Sequence, residues 1–112
     1  MTICKQGDVL LVPFPFTDQS GSKQRPAVVV SSETYNQTHS DVILAPITSQ
    51  IKHISDEVRL TDWQVAGLLK LSVVKPILSS FDTLVVRRRL GALSDSDRTQ
   101  VRALFARILD LP

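Results

Sequence analysis

Cysteine occurs once, at Cys4, so the chain can form no internal disulfide, and a lone thiol is not a metal site. That economy fits a reducing compartment, and a cytoplasmic location is the expectation. Apolar runs are short. LLVPFPF at 10–16 and VVVSS at 28–32 fall far below the ~20 residues that a membrane-crossing helix needs, so no membrane association is expected. The opening MTICKQGD carries one lysine and no sustained apolar stretch, and does not read as a signal peptide. Missing too are a glycine-rich loop ending in Lys-Ser/Thr, a Cys-x-x-Cys pair, a His-Glu-x-x-His run and a Gly-x-Ser-x-Gly elbow. Histidine occurs only at His39 and His53, both in polar loop sequence, where plain surface positions suit them better than an acid–base pair. The carboxylates are scattered singly, whereas a two-metal centre needs several converging on one point. No metal and no cofactor are expected.

What is present is enough apolar material, 43% of 112 residues, for one modest core, and residues 1–112 read as a single domain. Net charge is +2 but unevenly placed. Residues 1–56 hold four basic and five acidic side chains, a balance of −1, and residues 57–112 hold nine and six, a balance of +3. The second half contains the triplet Arg87–Arg88–Arg89. Such a cluster suits a phosphate-rich partner, and equally suits a solvated surface.

Along the chain, Asp8 to Phe16 reads as a strand through DVLLV, after which Pro13 and Pro15 lead out of any central ladder. Residues 17–25, TDQSGSKQR, form an exposed polar loop. PAVVVSS at 26–32 is a buried strand with Pro26 at its first position, ETYNQTHS at 33–40 is a turn or a single helical turn, and DVILAPIT at 41–48 is a third strand. A short strand near Asp56–Leu60, a turn containing Trp63, a strand at Ser72–Leu78 and an irregular stretch at 83–87 follow. Ser94 with Asp97 then resembles a capping box, with Asp95 and Asp97 at the positive end of the helix dipole. Val101, Leu104, Phe105 and Ile108 recur at helical spacing, while Arg98, Arg102 and Arg107 can face water. The pattern predicts an α+β domain: a curled antiparallel sheet or small barrel with an amphipathic C-terminal helix packed on it.

Two residues stand out by position. Arg25 ends the polar loop immediately before a proline and a buried strand, and Thr48 ends the next long strand after Pro46. If those strands are antiparallel neighbours, both emerge at one edge of the sheet. An arginine fork beside a hydroxyl can seat one phosphodiester. An arginine before a proline and a threonine at a strand end are also ordinary surface features, and the pattern alone leaves both readings open.

The chain as a whole resembles the MazF/PemK family, the toxin components of bacterial type II toxin–antitoxin pairs. The likeness runs through GDVLLVPFPFTD at 7–18, QRPAVVVSS at 24–32, PITSQ at 46–50, GLLKLSVVKP at 67–76 and LGALSDSD at 90–97. It implies an SH3-like barrel with added helices, usually homodimeric. It also implies a sequence-selective endoribonuclease for single-stranded RNA, using 2′-hydroxyl attack to leave 2′,3′-cyclic phosphate and 5′-hydroxyl ends. By that resemblance Arg25 and Thr48 are catalytic, and Phe16, Thr17, Ser20 and Gln50 contact RNA. A cognate antitoxin protein is the implied inhibitor, with DNA engaged only indirectly through it. Two other readings are a gyrase-binding toxin of the same barrel fold and an inert SH3-like interaction module. The intact QRP and PITSQ segments argue against the gyrase reading.

Overall fold

The aliphatic segments of the first half become three antiparallel strands in the computed structural model, which describes residues 4–14, 23–52 and 56–112. These are β1 (Asp8–Val12), β2 (Arg25–Val29) and β3 (Asp41–Thr48), with a six-residue helix α1 (Glu33–Thr38) between the last two. The Ser32 hydroxyl caps α1 by accepting the Tyr35 N–H. Pro26 lies inside β2 rather than at its start, and it is Arg25 that occupies the first strand position. Ser31 and Ser32 fall beyond the strand.

The second half departs further from expectation. Of the strand expected at Ser72–Leu78 only β5 (Val73–Val74) forms before the chain breaks at Pro76, and β6 (Ser79–Asp82) begins beyond it, with β4 (Val58–Arg59) preceding both. A 3-10 turn at Thr83–Val85 follows, and then β7 (Arg88–Ala92), which the arginine triplet disguised as solvated surface. The last element is α2 (Asp95–Ile108). All pairings are antiparallel, in the order β4-β5-β3-β2-β1-β7. β3 is long enough to take two partners on one edge, β6 along Asp41–Leu44 and β5 along Ile47–Thr48. The α+β expectation of a curled antiparallel sheet with a C-terminal helix is therefore met.

Alternation with period two sorts the strand residues to two faces. Val9, Val28, Ala45 and Ile47 pack with Val101, Leu104 and Phe105 of α2. Leu10, Ala27, Val29 and Leu44 form a second cluster with Phe14, whose ring centroid lies 5.1 Å from that of Phe81. Ile108, expected on the buried stripe of α2, is instead 38% exposed, because the sheet contact ends one turn earlier at Phe105.

The curl of the sheet is visible where its ends meet. Six strands laid flat at ~4.8 Å spacing would separate β4 from β7 by about 24 Å. Yet the turn at 61–67 that follows β4 touches β7 directly. A Cβ added to Gly67 would sit 2.1 Å from the Leu90 carbonyl oxygen, and one added to Gly91 would sit 2.7 Å from the Ala66 carbonyl. Gly67 also has φ +81°, a left-handed conformation that side chains resist. The curl is thus closed by a turn lying on β7.

The same turn is tied to α2 by a buried carboxylate. Ser94 caps the helix by accepting the Asp97 N–H, as expected, but the Asp97 side chain does not reach back to complete a capping box. Only 1% exposed, it accepts from the Thr61 N–H at 3.2 Å, the Thr61 hydroxyl at 3.1 Å and the Asp62 N–H at 2.9 Å. At the start of β3, hydrogen bonds from the Ser80 and Tyr35 hydroxyls hold the Asp41 carboxyl below the usual aspartate range.

Removing the Asp97 carboxylate takes the shared acceptor from three donors, the Thr61 N–H and hydroxyl and the Asp62 N–H. Asp97→Ala should lower unfolding stability by about 3 kcal/mol in urea titrations, and a loss under about 1 kcal/mol would contradict this account. Gly67→Ala forces both a left-handed alanine and a backbone clash, and should cost at least about 2 kcal/mol by the same measurement.

Candidate active-site cleft

β2 and β3 pair with Ala27 against Pro46, Val28 against Ala45 and Val29 against Leu44. Carried two residues further, the same register sets Arg25 opposite Thr48. Arg25 is also matched to Val12 of β1, and Thr48 to Val73 of β5. Val12, Arg25, Thr48 and Val73 therefore form one row across four neighbouring strands, with directly opposed residues about 5 Å apart. The sequence expectation of a shared edge is met. Its picture of Arg25 as the end of a loop is not, since Arg25 is backbone-paired within the sheet.

One row inward, Arg88 is matched to Leu11 and Leu11 to Pro26, while Ile47 is matched to Val74. Leu11, Pro26 and Ile47 floor a cleft of about 680 Å³, with Arg25, Thr48, Ser49 and Gln50 also lining it. The opposite wall is the segment after the closing turn, from Gly67 to Lys70. Thr48 is held in place locally: its Oγ1 accepts the Gln50 N–H at 3.1 Å. A hydroxyl that accepts in this way keeps its own proton to donate outward.

Charge distinguishes this concavity from the rest of the surface. Arg25, Lys52, Lys70, Lys75 and Arg88 all line it, and no aspartate or glutamate does among the described residues. Three arginines elsewhere have carboxylate partners: Arg89 meets Asp8 at 3.1 Å, Arg98 meets Asp95 at 3.4 Å and Arg107 meets Asp56 at 3.3 Å. A chain of net charge +2 thus gathers five cationic side chains around one opening, a field that draws in a polyanion. Among the described residues no three histidine, cysteine, aspartate or glutamate side chains are grouped as metal ligands would be.

Of the residues singled out from sequence, Arg25, Thr48 and Gln50 come together here. Phe16, Thr17 and Ser20 lie outside the described residues, as does His53. His39 stacks on Tyr35 with ring centroids 3.9 Å apart and takes no part in the cleft. Sequence reasoning missed Lys52, Lys70 and Lys75 altogether, and treated the arginine triplet as a unit. The structure divides that triplet, with Arg88 in the cleft and Arg89 bound to Asp8.

Comparison with known proteins agrees with this architecture. A solved MazE–MazF structure from Deinococcus radiodurans superposes with TM-score 0.79 at 24% identity, covering 99% of this chain and all of that one. The Mycobacterium tuberculosis toxin MazF-mt6 superposes with TM-score 0.76 at 22% identity, covering 94% and 98%. A mycobacterial endoribonuclease in complex with its cognate antitoxin gives TM-score 0.77 at 18% identity, covering 100% and 98%. By sequence, no curated protein matches this chain. The model of the PemK-like, MazF-like toxins of type II toxin–antitoxin systems matches residues 5–109, nearly the whole chain, and the protein belongs to that family.

Proposed function

We propose that this toxin is a metal-independent endoribonuclease that cleaves single-stranded RNA in the cationic cleft, with Arg25 and Thr48 at the scissile phosphate. The observation that carries the reading is the β2–β3 register, which sets these two residues opposite one another at the mouth of a cleft lined by cations. Solved structures that share the fold include proteins described as endoribonucleases, one of them with its cognate antitoxin.

The chemistry follows from what the cleft offers. The ribose 2′-oxygen attacks the adjacent phosphorus and the bond from phosphorus to the 5′-oxygen breaks. The 2′-hydroxyl gives up its proton and the leaving 5′-oxygen takes one up. The products are a 2′,3′-cyclic phosphate and a 5′-hydroxyl end. The nucleophile belongs to the substrate, so no metal-activated water is needed, and DNA, which lacks the 2′-hydroxyl, is inert. Negative charge gathers on the non-bridging oxygens as the fifth bond forms. The Arg25 guanidinium neutralises it, a role that suits arginine better than abstracting a proton would. The Thr48 hydroxyl, oriented by the Gln50 N–H, donates to the same phosphate.

The cognate antitoxin is the proposed inhibitor, and a segment bearing carboxylates would complement this cleft. Nothing in the cleft favours the gyrase-binding reading, which has no use for the Arg25–Thr48 pair.

Incubation with a defined transcript in the presence of a chelator should give discrete fragments with 5′-hydroxyl ends. Arg25→Ala and Thr48→Val should each lower kcat by about 10²–10³-fold, the usual cost of losing one donor to a developing oxyanion, with the melting temperature unchanged. Full cleavage by a folded Arg25→Ala protein would sink the assignment.

A further inference from the structure

The Arg25–Thr48 pair accounts for one phosphate, yet the cleft holds cations that this phosphate does not use. Their placement follows from the strand order. Arg88 stands on β7, two strands from β2, with Leu11 of β1 between it and Pro26. Lys75 stands just past β5, on the far side of β3. Its N–H donates to the Pro46 carbonyl at 3.0 Å, continuing the register that opposes Val74 to Ile47. Across the sheet the sequence of elements is thus Arg88, β1, Arg25, Thr48, Lys75. Arg88 and Lys75 therefore stand four strand spacings apart along the curled sheet, with the proposed reacting phosphate between them. Lys70 joins them from the wall segment, three residues ahead of β5, the strand that Lys75 follows. None of the three is matched by a carboxylate among the described residues, in contrast to Arg89, Arg98 and Arg107.

A volume of about 680 Å³ is also too large for one phosphate, since pockets of this size enclose an entire drug-sized molecule. Floor residues Leu11, Pro26 and Ile47 offer the apolar surface on which sugars and bases can lie.

We infer that the RNA strand crosses the cleft perpendicular to the β-strands, with Arg88 holding a phosphate on one side of the scissile bond and Lys75 and Lys70 holding phosphates on the other. These three are positioning residues: they fix the strand so that the bond to be broken rests between Arg25 and Thr48, and they touch none of the reacting atoms. The identity of the polyanion as RNA rests on the ribonuclease reading above. The geometry of the cations does not.

Binding and cleavage separate the two. A fluorescent 2′-O-methyl oligoribonucleotide, which has no free 2′-hydroxyl to react, is titrated by anisotropy across a range of salt concentrations. Lys70→Gln, Lys75→Gln and Arg88→Gln should each weaken binding by about five- to tenfold at low salt. Each should also reduce the slope of log affinity against log salt by about 0.7, the value for one phosphate contact on a single strand. Arg102→Gln, an exposed charge on α2 outside the cleft, should change neither quantity. On cleavable RNA the three variants should raise KM and leave kcat intact, the opposite of Arg25→Ala. A triple variant with unchanged melting temperature that binds with wild-type affinity and salt slope would overturn the inference while leaving the ribonuclease reading standing. A wild-type protein that shows the binding pattern but never cuts RNA would do the reverse.

Discussion

Everything in the cleft depends on the antiparallel register between β2 and β3. A one-residue slip of β2 would move Arg25 out of opposition to Thr48, and would also turn Ala27 and Val29 from one face of the sheet to the other. The register is secured far from the site it serves. Beyond the last strand pair the Val30 N–H donates to the Ile43 carbonyl, and the buried Ser31 hydroxyl accepts the Ile43 N–H at 3.1 Å. That hydroxyl donates in turn to the side-chain oxygen of Asn36, itself buried, whose amide donates to the Cys4 carbonyl at 2.9 Å. A short polar network at one end of the two strands therefore fixes which residues face each other at the other end. Buried polar groups are costly when unpaired, so a slipped register would lose these bonds as well as the apolar packing.

The electrostatics of the site are a matter of distribution rather than amount. A net charge of +2 gives little general attraction for nucleic acid. The fold creates attraction by pairing some cations with carboxylates and leaving others together. Asp8 illustrates the sorting: one of its oxygens accepts the Lys5 N–H and the other the Arg89 side chain, which removes one arginine of the triplet from play. Its neighbour Arg88, one residue earlier on β7, keeps its charge for the cleft. Arginines adjacent in sequence thus serve different ends because successive strand residues point to opposite faces.

Much of this was legible before the structure. β1, β2 and β3 announced themselves as β-branched runs bounded by prolines and polar loops, and α2 by a cap followed by apolar residues at helical spacing. Arg25 and Thr48 were legible because their meeting requires only that two consecutive strands pair. The rest depended on contacts between segments distant in sequence. No local pattern says that Asp97 reaches Thr61 and Asp62, 36 and 35 positions away, instead of its own helix cap, as it does here. Nor can spacing alone bring Lys70 and Lys75 into the same cleft as Arg88, since that needs the curl of the sheet and the break at Pro76. β7 was hidden for a related reason: as the last strand of the path, it carries exposed arginines where a central strand would carry valines.

The device that closes the sheet is what leaves room for a cleft. Had β4 or β5 paired with β7, the ladder would have sealed the barrel and filled its mouth with side chains, as small closed barrels do. Here a turn spans the gap instead. It touches β7 through Gly67 and Gly91 and is held from behind by the Asp97 carboxylate of α2. The floor of the cleft is hydrogen-bonded sheet, while its wall hangs on two glycine contacts and one buried carboxylate. The helix therefore contributes to the site without lining it: by fixing Thr61 and Asp62 it sets where the following residues lie, and with them the position of Lys70 relative to the Arg25–Thr48 row. A change at the N-terminus of α2 would loosen the wall and leave the register of the floor intact.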